Sequence, residues 1–151
     1  MKSQIELLRT TRHNIISVMD ACSTEQLFSI PGPFNNHILW NAMHLIATQQ
    51  LLVYKNSNTA FAIDSSIVEQ FKKGTAPDST NDSSLIDSTK KQLISTLDQM
   101  LNDYNNGIFG AYNAITTSYG VTINTVEEAI TFLNLHESMH LGQIKMLSKL
   151  V

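Results

Sequence analysis

Several things are scarce in this sequence, and each shortage removes a class of protein. A single cysteine, Cys22, among 151 residues leaves no internal disulfide and no cysteine-based zinc cluster. Charged residues make up only 15% of the chain, with a net charge of −3 and no run of Lys or Arg, which argues against nucleic acid as a partner. No stretch approaches the roughly 18 consecutive apolar residues of a membrane-spanning helix. The opening Met1-Lys2-Ser3-Gln4-Ile5-Glu6 starts no apolar run of signal-peptide length, so the expected address is cytoplasmic. No glycine-rich phosphate loop is found, and no Ser or Cys sits in a nucleophile context; Cys22 reads as a small core residue. What remains is a hydrophobic content of 42%, enough for one folded domain over residues 1–151.

Helical periodicity organises most of that domain. Ile5, Leu8, Ile15, Ile16, Met19 and Cys22 form a stripe on a first helix over Lys2 to Cys22, interrupted by the polar run Thr10-Thr11-Arg12-His13-Asn14. Ser23-Thr24-Glu25-Gln26 has the form of a capping box, and Pro31-Gly32-Pro33 is a firm break. A second helix, capped by Asn35 or Asn36, is expected to reach Tyr54 with His37, Trp40, Asn41, His44, Thr48, Leu51 and Leu52 inward. A short helix from Ile63 to Lys73, capped by Asp64 or Ser65 and stopped at Gly74, precedes an exposed connection over Thr75 to Ser84. Ser83 or Ser84 caps a third long helix through Tyr104, with Leu85, Ile86, Leu93, Ile94, Leu97, Met100 and Leu101 inward. Ile108 to Asn124 reads as an extended loop, a small hairpin being the alternative. Thr125-Val126-Glu127-Glu128 then opens a fourth helix that runs to the C-terminus. Four long helices with longish connections make an all-α, four-helix bundle.

The chemistry concentrates on the last helix. Ala129, Leu133, His136, His140, Gln143, Leu147 and Leu150 recur at steps of three and four and define its expected inward face. Two imidazoles four apart on a helix stand about 5–6 Å apart at Cβ and can share one ion. His136-Glu137-Ser138-Met139-His140 spells the H-E-x-x-H of zinc proteases, in which the Glu is a general base. Only eleven residues follow His140, and none is His, Asp or Glu, so the protease reading lacks its third ligand. His44, inward on the second helix, can supply it instead, giving His44, His136 and His140 as a three-histidine metal site with open coordination positions. Glu137 points about 100° away from His136, and either reaches a metal-bound water or is solvated. His37 lies about 10 Å along the axis from His44, too far to share its ion; it either lines a pocket entrance or is a surface or capping residue. Arg12 and His13 either line a substrate pocket or belong to a solvated face. Gln143 can hydrogen-bond a ligand or the partner helix, Trp40 reads as core, and Asn41 can support the site from behind.

Trp40-Asn41-Ala42-Met43-His44, joined to His136-Glu137-Ser138-Met139-His140-Leu141-Gly142-Gln143-Ile144, resembles the DinB (damage-inducible, YfiT-like) metalloprotein family. Phe71-Lys72-Lys73-Gly74-Thr75-Ala76-Pro77 is similar to the segment between helices two and three in some members. The resemblance implies an up-down-down-up four-helix bundle, frequently a homodimer, holding one divalent metal ion per chain through residues that here are His44, His136 and His140. It also implies a small-molecule substrate: characterised members include transferases and isomerases that use low-molecular-weight thiols such as bacillithiol or mycothiol, and others are labelled hydrolases. The expected function is accordingly a thiol-dependent S-transferase-like activity with Zn or Ni (Fe or Mn being further options), and with Glu137 and His37 handling protons or substrate. The alternatives are a hydrolase using metal-bound hydroxide and a non-catalytic metal-binding stress-response module.

Overall fold

The computed structural model describes residues 1–78 and 81–151, so residues 79 and 80 of the connection expected over 75–84 lie outside the described residues. The helices are α1 (Lys2–Asp20), α2 (Thr24–Phe28), α3 (Ile38–Gln49), α4 (Ser65–Phe71), α5 (Ser84–Asn105) and α6 (Val126–Leu150). Their ends follow local chemistry. Ser23 and Gln26 form the expected reciprocal cap of α2. Asp64 caps α4, and Gly74 lies just beyond its end at φ +92°. Thr125 accepts from Glu128 N at 3.1 Å to start α6, while the Glu128 carboxylate reaches one residue further back than a standard box, to Asn124 N at 2.7 Å.

Two helix starts and one connection are among the differences from expectation. Neither Asn35 nor Asn36 caps α3; His37 does, its Nδ1 accepting from Trp40 N at 2.9 Å. Ser83 occupies the N-cap position of α5 with no capping side-chain bond among the described residues, and Asp82 instead accepts from Ser84 N. The segment expected as a loop contains a short hairpin, β1 (Ile115–Thr116) against β2 (Thr122–Ile123), with Ile115 opposite Ile123 and Thr116 opposite Thr122. Its turn needs Gly120 at φ +82°, and burial of Ile123 anchors it.

The four long helices α1, α3, α5 and α6 form the bundle, with α1 and α3 each packed against both α5 and α6. Side-chain pairs give their directions. Gln4 meets Asn134 while Gln26, just past α1, meets Val151, so α1 and α6 run parallel. Arg9 meets Asp98 and Asp20 meets Lys90, so α5 opposes α1. Met43 meets Thr89, Gln49 meets Thr96 and Tyr54 meets Asp103, so α3 runs with α5. The order is up-down-down-up. Among the described residues no helix is long and apolar enough to cross a membrane.

Two apolar clusters fill the interior. One gathers Ile15, Met19, Leu93, Ile144 and Leu147 around the buried length of α3; the other gathers Ile5, Leu8, Leu97, Met100, Ala129 and Leu133 around Leu52, Val53 and Tyr54. Between them lies one polar layer with a residue from every long helix: Arg12, Gln49, Thr96 and Glu137. Immediately after Gln49, residues Gln50–Tyr54 form a π turn, which buries Leu52, Val53 and Tyr54 and leaves Leu51 only half-buried.

Candidate metal centre

The inward faces around the polar layer decide what the histidines meet. On α6 the buried positions are Ala129, Ile130, Leu133, Glu137, His140, Ile144 and Leu147. The expected stripe is therefore rotated: Glu137 is inside, His136 lies at the margin, and Gln143 and Leu150 are exposed. Among the described residues Gln143 makes no hydrogen bond to the imidazoles. The rotation arises because a heptad-like 133, 137, 140, 144, 147 series includes a charged residue that pairs internally.

That pairing is complete. Arg12 Nε donates to both Glu137 oxygens at 3.2 and 3.0 Å, and Nη2 donates to Oε1 at 2.6 Å. Nη2 also reaches Gln49 Oε1 at 2.9 Å, while Nη1 reaches Leu93 O and Thr96 Oγ1, both at 2.9 Å. All five guanidinium N–H groups are thus used. Both charged side chains are 0% exposed, so neither is the solvated residue one of the readings allowed. Burial raises the Glu137 carboxyl above the usual carboxylate range, and the Arg12 guanidinium opposes that shift. His13, beside Arg12, is exposed.

The antiparallel contact of α3 and α6 sets His44 across from His136 and His140. Ring centroids are 5.4 Å apart for His44 and His136, 5.0 Å for His44 and His140, and 4.5 Å for His136 and His140. One ligand nitrogen from each lies within 4.8 Å of the others, so the three could hold one metal ion. Their tautomers suit that task. His44 Nδ1 is 2.7 Å from the Phe71 carbonyl, which can only accept, so the proton sits on Nδ1 and Nε2 keeps its lone pair, with the Thr48 hydroxyl 3.3 Å away as its one long protein contact among the described residues. His140 Nδ1 is 2.9 Å from Asn41 Oδ1, and Asn41 Nδ2 donates to His37 O at 3.0 Å, which fixes the amide's orientation. His140 therefore also presents Nε2. His136 Nδ1 is buried and has no hydrogen-bond partner among the described residues. Trp40 stacks on His44 at 4.9 Å and 8°, holding the ring from behind.

Burial depresses all three imidazoles. It lowers His44; with the neighbouring His44 ring it takes His136 to about 4, and with both neighbours it takes His140 to about 3. Each is neutral at pH 7, the form that binds a metal. An orphaned buried nitrogen, two tautomers fixed by outer acceptors and neutral rings together fit a divalent cation.

His37 is buried and apart from this set. Its Nδ1 lone pair is taken by Trp40 N–H, leaving Nε2 as a donor, and burial takes its pKa to about 4 against the opposing Asp78 charge. It packs edge-on to Phe28 and lines a small cavity of about 50 Å³ with Trp40, Phe71 and Pro77. Capping and cavity lining thus fall to the same ring. Burial pushes the half-buried Cys22 thiol up, as befits a core residue. The residues that sequence reasoning missed are the Phe71 carbonyl, which leaves no sequence signal, and Arg12 as Glu137's partner. Arg12 had a signal: it sits in step with Ile5, Leu8, Ile15 and Met19.

Comparison with known proteins bears on this arrangement. Residues 7–144 match the model of the DinB superfamily. A search of curated proteins returned no match. The chain belongs to the DinB superfamily, a metal-binding helical fold.

Proposed function

With membership of the DinB superfamily as the premise, we propose that this chain is a divalent-metal-dependent enzyme of the thiol S-transferase kind. The observation that carries the reading is the cluster of three neutral imidazoles, two of them locked to present Nε2. Three protein ligands leave a coordination position open, which favours catalysis over a closed structural site. His44, His136 and His140 are the ligands, and an imidazole set of this kind suits Zn or Ni, with Fe or Mn as further options. When bound, such an ion lowers the pKa of a thiol or water and so supplies a nucleophile at neutral pH.

The chain's own residues do the rest. Asn41 and the Phe71 carbonyl orient His140 and His44, and Trp40 shields one face of His44 from water. Glu137 and His37 act in this reading as positioning residues, since Arg12 engages both Glu137 oxygens and Trp40 N–H takes the Nδ1 lone pair of His37, leaving that ring no free acceptor. A homodimer is part of the proposal, supported by the exposed apolar side chains Leu135, Met139, Met146 and Leu150 along α6. Sedimentation equilibrium tests that assembly.

The deciding experiment offers the metal-loaded protein a panel of thiols with electrophiles, beside a panel of esters and amides, and identifies products by mass spectrometry. Thioether products that vanish in His140→Ala support the transferase. Hydrolysis products alone identify a hydrolase, and inertness toward both panels leaves a binding module.

A further inference from the structure

The three imidazoles are not equally enclosed: His44 and His140 are buried, whereas His136 is half-buried. The side past His136 is therefore the open approach, and it is lined by rings. Phe132 tilts against His136 at 6.4 Å and 32°, and Tyr119, at the hairpin turn, meets Phe132 edge-to-face at 6.5 Å and 69°. Tyr119 is 62% exposed, so the outer end of this pair of rings meets solvent. A relay of rings thus leads from solvent to the cluster.

The two segments that carry this relay are poor in charge. From Tyr104 to Val126 the sequence contains no Asp, Glu, Lys, Arg or His, although surface connections are normally rich in them. On α6 from Ala129 to Ile144 the one Asp, Glu, Lys or Arg is Glu137, which is fully buried against Arg12. Glu127 and Glu128, in the turn before Phe132, are held by Tyr104 and Asn124, and an anionic ligand finds no Lys or Arg on these two segments, whereas a flat apolar group finds ring faces and edges.

We propose that Tyr119 and Phe132 form a binding site for an uncharged aromatic group, and that the substrate delivered to the imidazoles carries one. This rests on the reading of the cluster as the reactive centre, and it assigns the aromatic group to the electrophilic substrate.

Benzyl alcohol serves as the probe, titrated into the isotope-labelled full chain without metal and followed by NMR, with benzoate and benzylamine as charged counterparts of the same size. Saturable shifts confined to Tyr119, Phe132 and His136, with the charged probes several-fold weaker, are expected. An aromatic contact contributes about 0.5–1.5 kcal/mol, so Tyr119→Leu is expected to weaken benzyl alcohol by about 2- to 13-fold, while Tyr119→Phe binds like the wild type. Absence of localised shifts up to the solubility limit, equal binding of the charged probes, or unchanged affinity in Tyr119→Leu overturns the proposal. Metal uptake is measured on the same samples. Loss of uptake with the aromatic preference intact strikes the reading of the cluster and leaves the aromatic site standing.

Discussion

Two buried polar groups sit side by side on α6, and they differ in what they leave unsatisfied. Glu137 belongs to a closed set, in which Arg12 spends every N–H on the carboxylate, Gln49, Thr96 and the Leu93 carbonyl. His136 and His140 belong to an open one, in which imidazole nitrogens converge and, among the described residues, His136 Nδ1 has no partner. The closed set ties four helices together between two apolar clusters and so fixes the rotation of α6. The open set inherits that rotation. Polarity in a core is therefore no guide to function by itself; the informative quantity is the number of hydrogen-bonding valences left over after the protein has used its own.

The sharpest break of this comparison is Arg12→Ala. Removing one member of a buried ion pair leaves an uncompensated charge, and a loss of about 3–5 kcal/mol is expected in chemical denaturation. A loss below about 1 kcal/mol means that the layer does not hold the bundle. For the open set, His136→Ala is expected to leave the metal-free stability nearly intact and to abolish the gain on adding metal. In the wild type that gain is about 2.7 kcal/mol at a free ion concentration 100 times Kd, read as a shift in the denaturation midpoint.

A smaller effect is expected for Asn41→Ala, which frees the His140 tautomer. Outer partners of metal ligands are worth about 10- to 100-fold in affinity, and calorimetric titration with zinc measures it. If the affinity is unchanged, Asn41 does not orient the ring. Acidification sharpens the contrast in another way. The folded-state pKa values of about 4 for His136 and about 3 for His140 lie below the ordinary value of 6.5. The unfolded chain therefore takes up protons first, and metal-free stability is complete above pH 6.5 and declines as the pH falls toward 4 and 3. Replacing His136 flattens this slope. Smallest of all is Gln143→Ala: an exposed residue outside both sets changes stability by less than about 0.5 kcal/mol and leaves zinc affinity alone.

Much of this was legible in the sequence. Helical periodicity located the four long helices, and the spacing of His136 and His140 with an inward His44 identified the three imidazoles that meet. The resemblance to the DinB family supplied the up-down-down-up order that the side-chain pairs bear out. The rotation of α6 was misjudged because a lone Glu or Arg reads as solvated until its partner is known, and Arg12 and Glu137 are 125 residues apart. Each sits in a heptad-like slot, and that coincidence was the available clue. Capping was one of the readings open for His37, but the start of the second helix was expected at Asn35 or Asn36, because Asn is the commoner cap and both stand next to it. The hairpin is only two residues per strand, too short for alternation to register. The Phe71 carbonyl could not be foreseen, since backbone groups carry no signature in side-chain identity.

The central claim is that neighbouring positions on one helix divide between a metal-binding set and a structural set. Elemental analysis of purified wild type, His136→Ala and Glu137→Gln, each confirmed folded by circular dichroism, tests it most directly. Equimolar metal in the wild type and in Glu137→Gln, with none in His136→Ala, is the expected result. Metal retained by His136→Ala, or lost from a folded Glu137→Gln, contradicts the division.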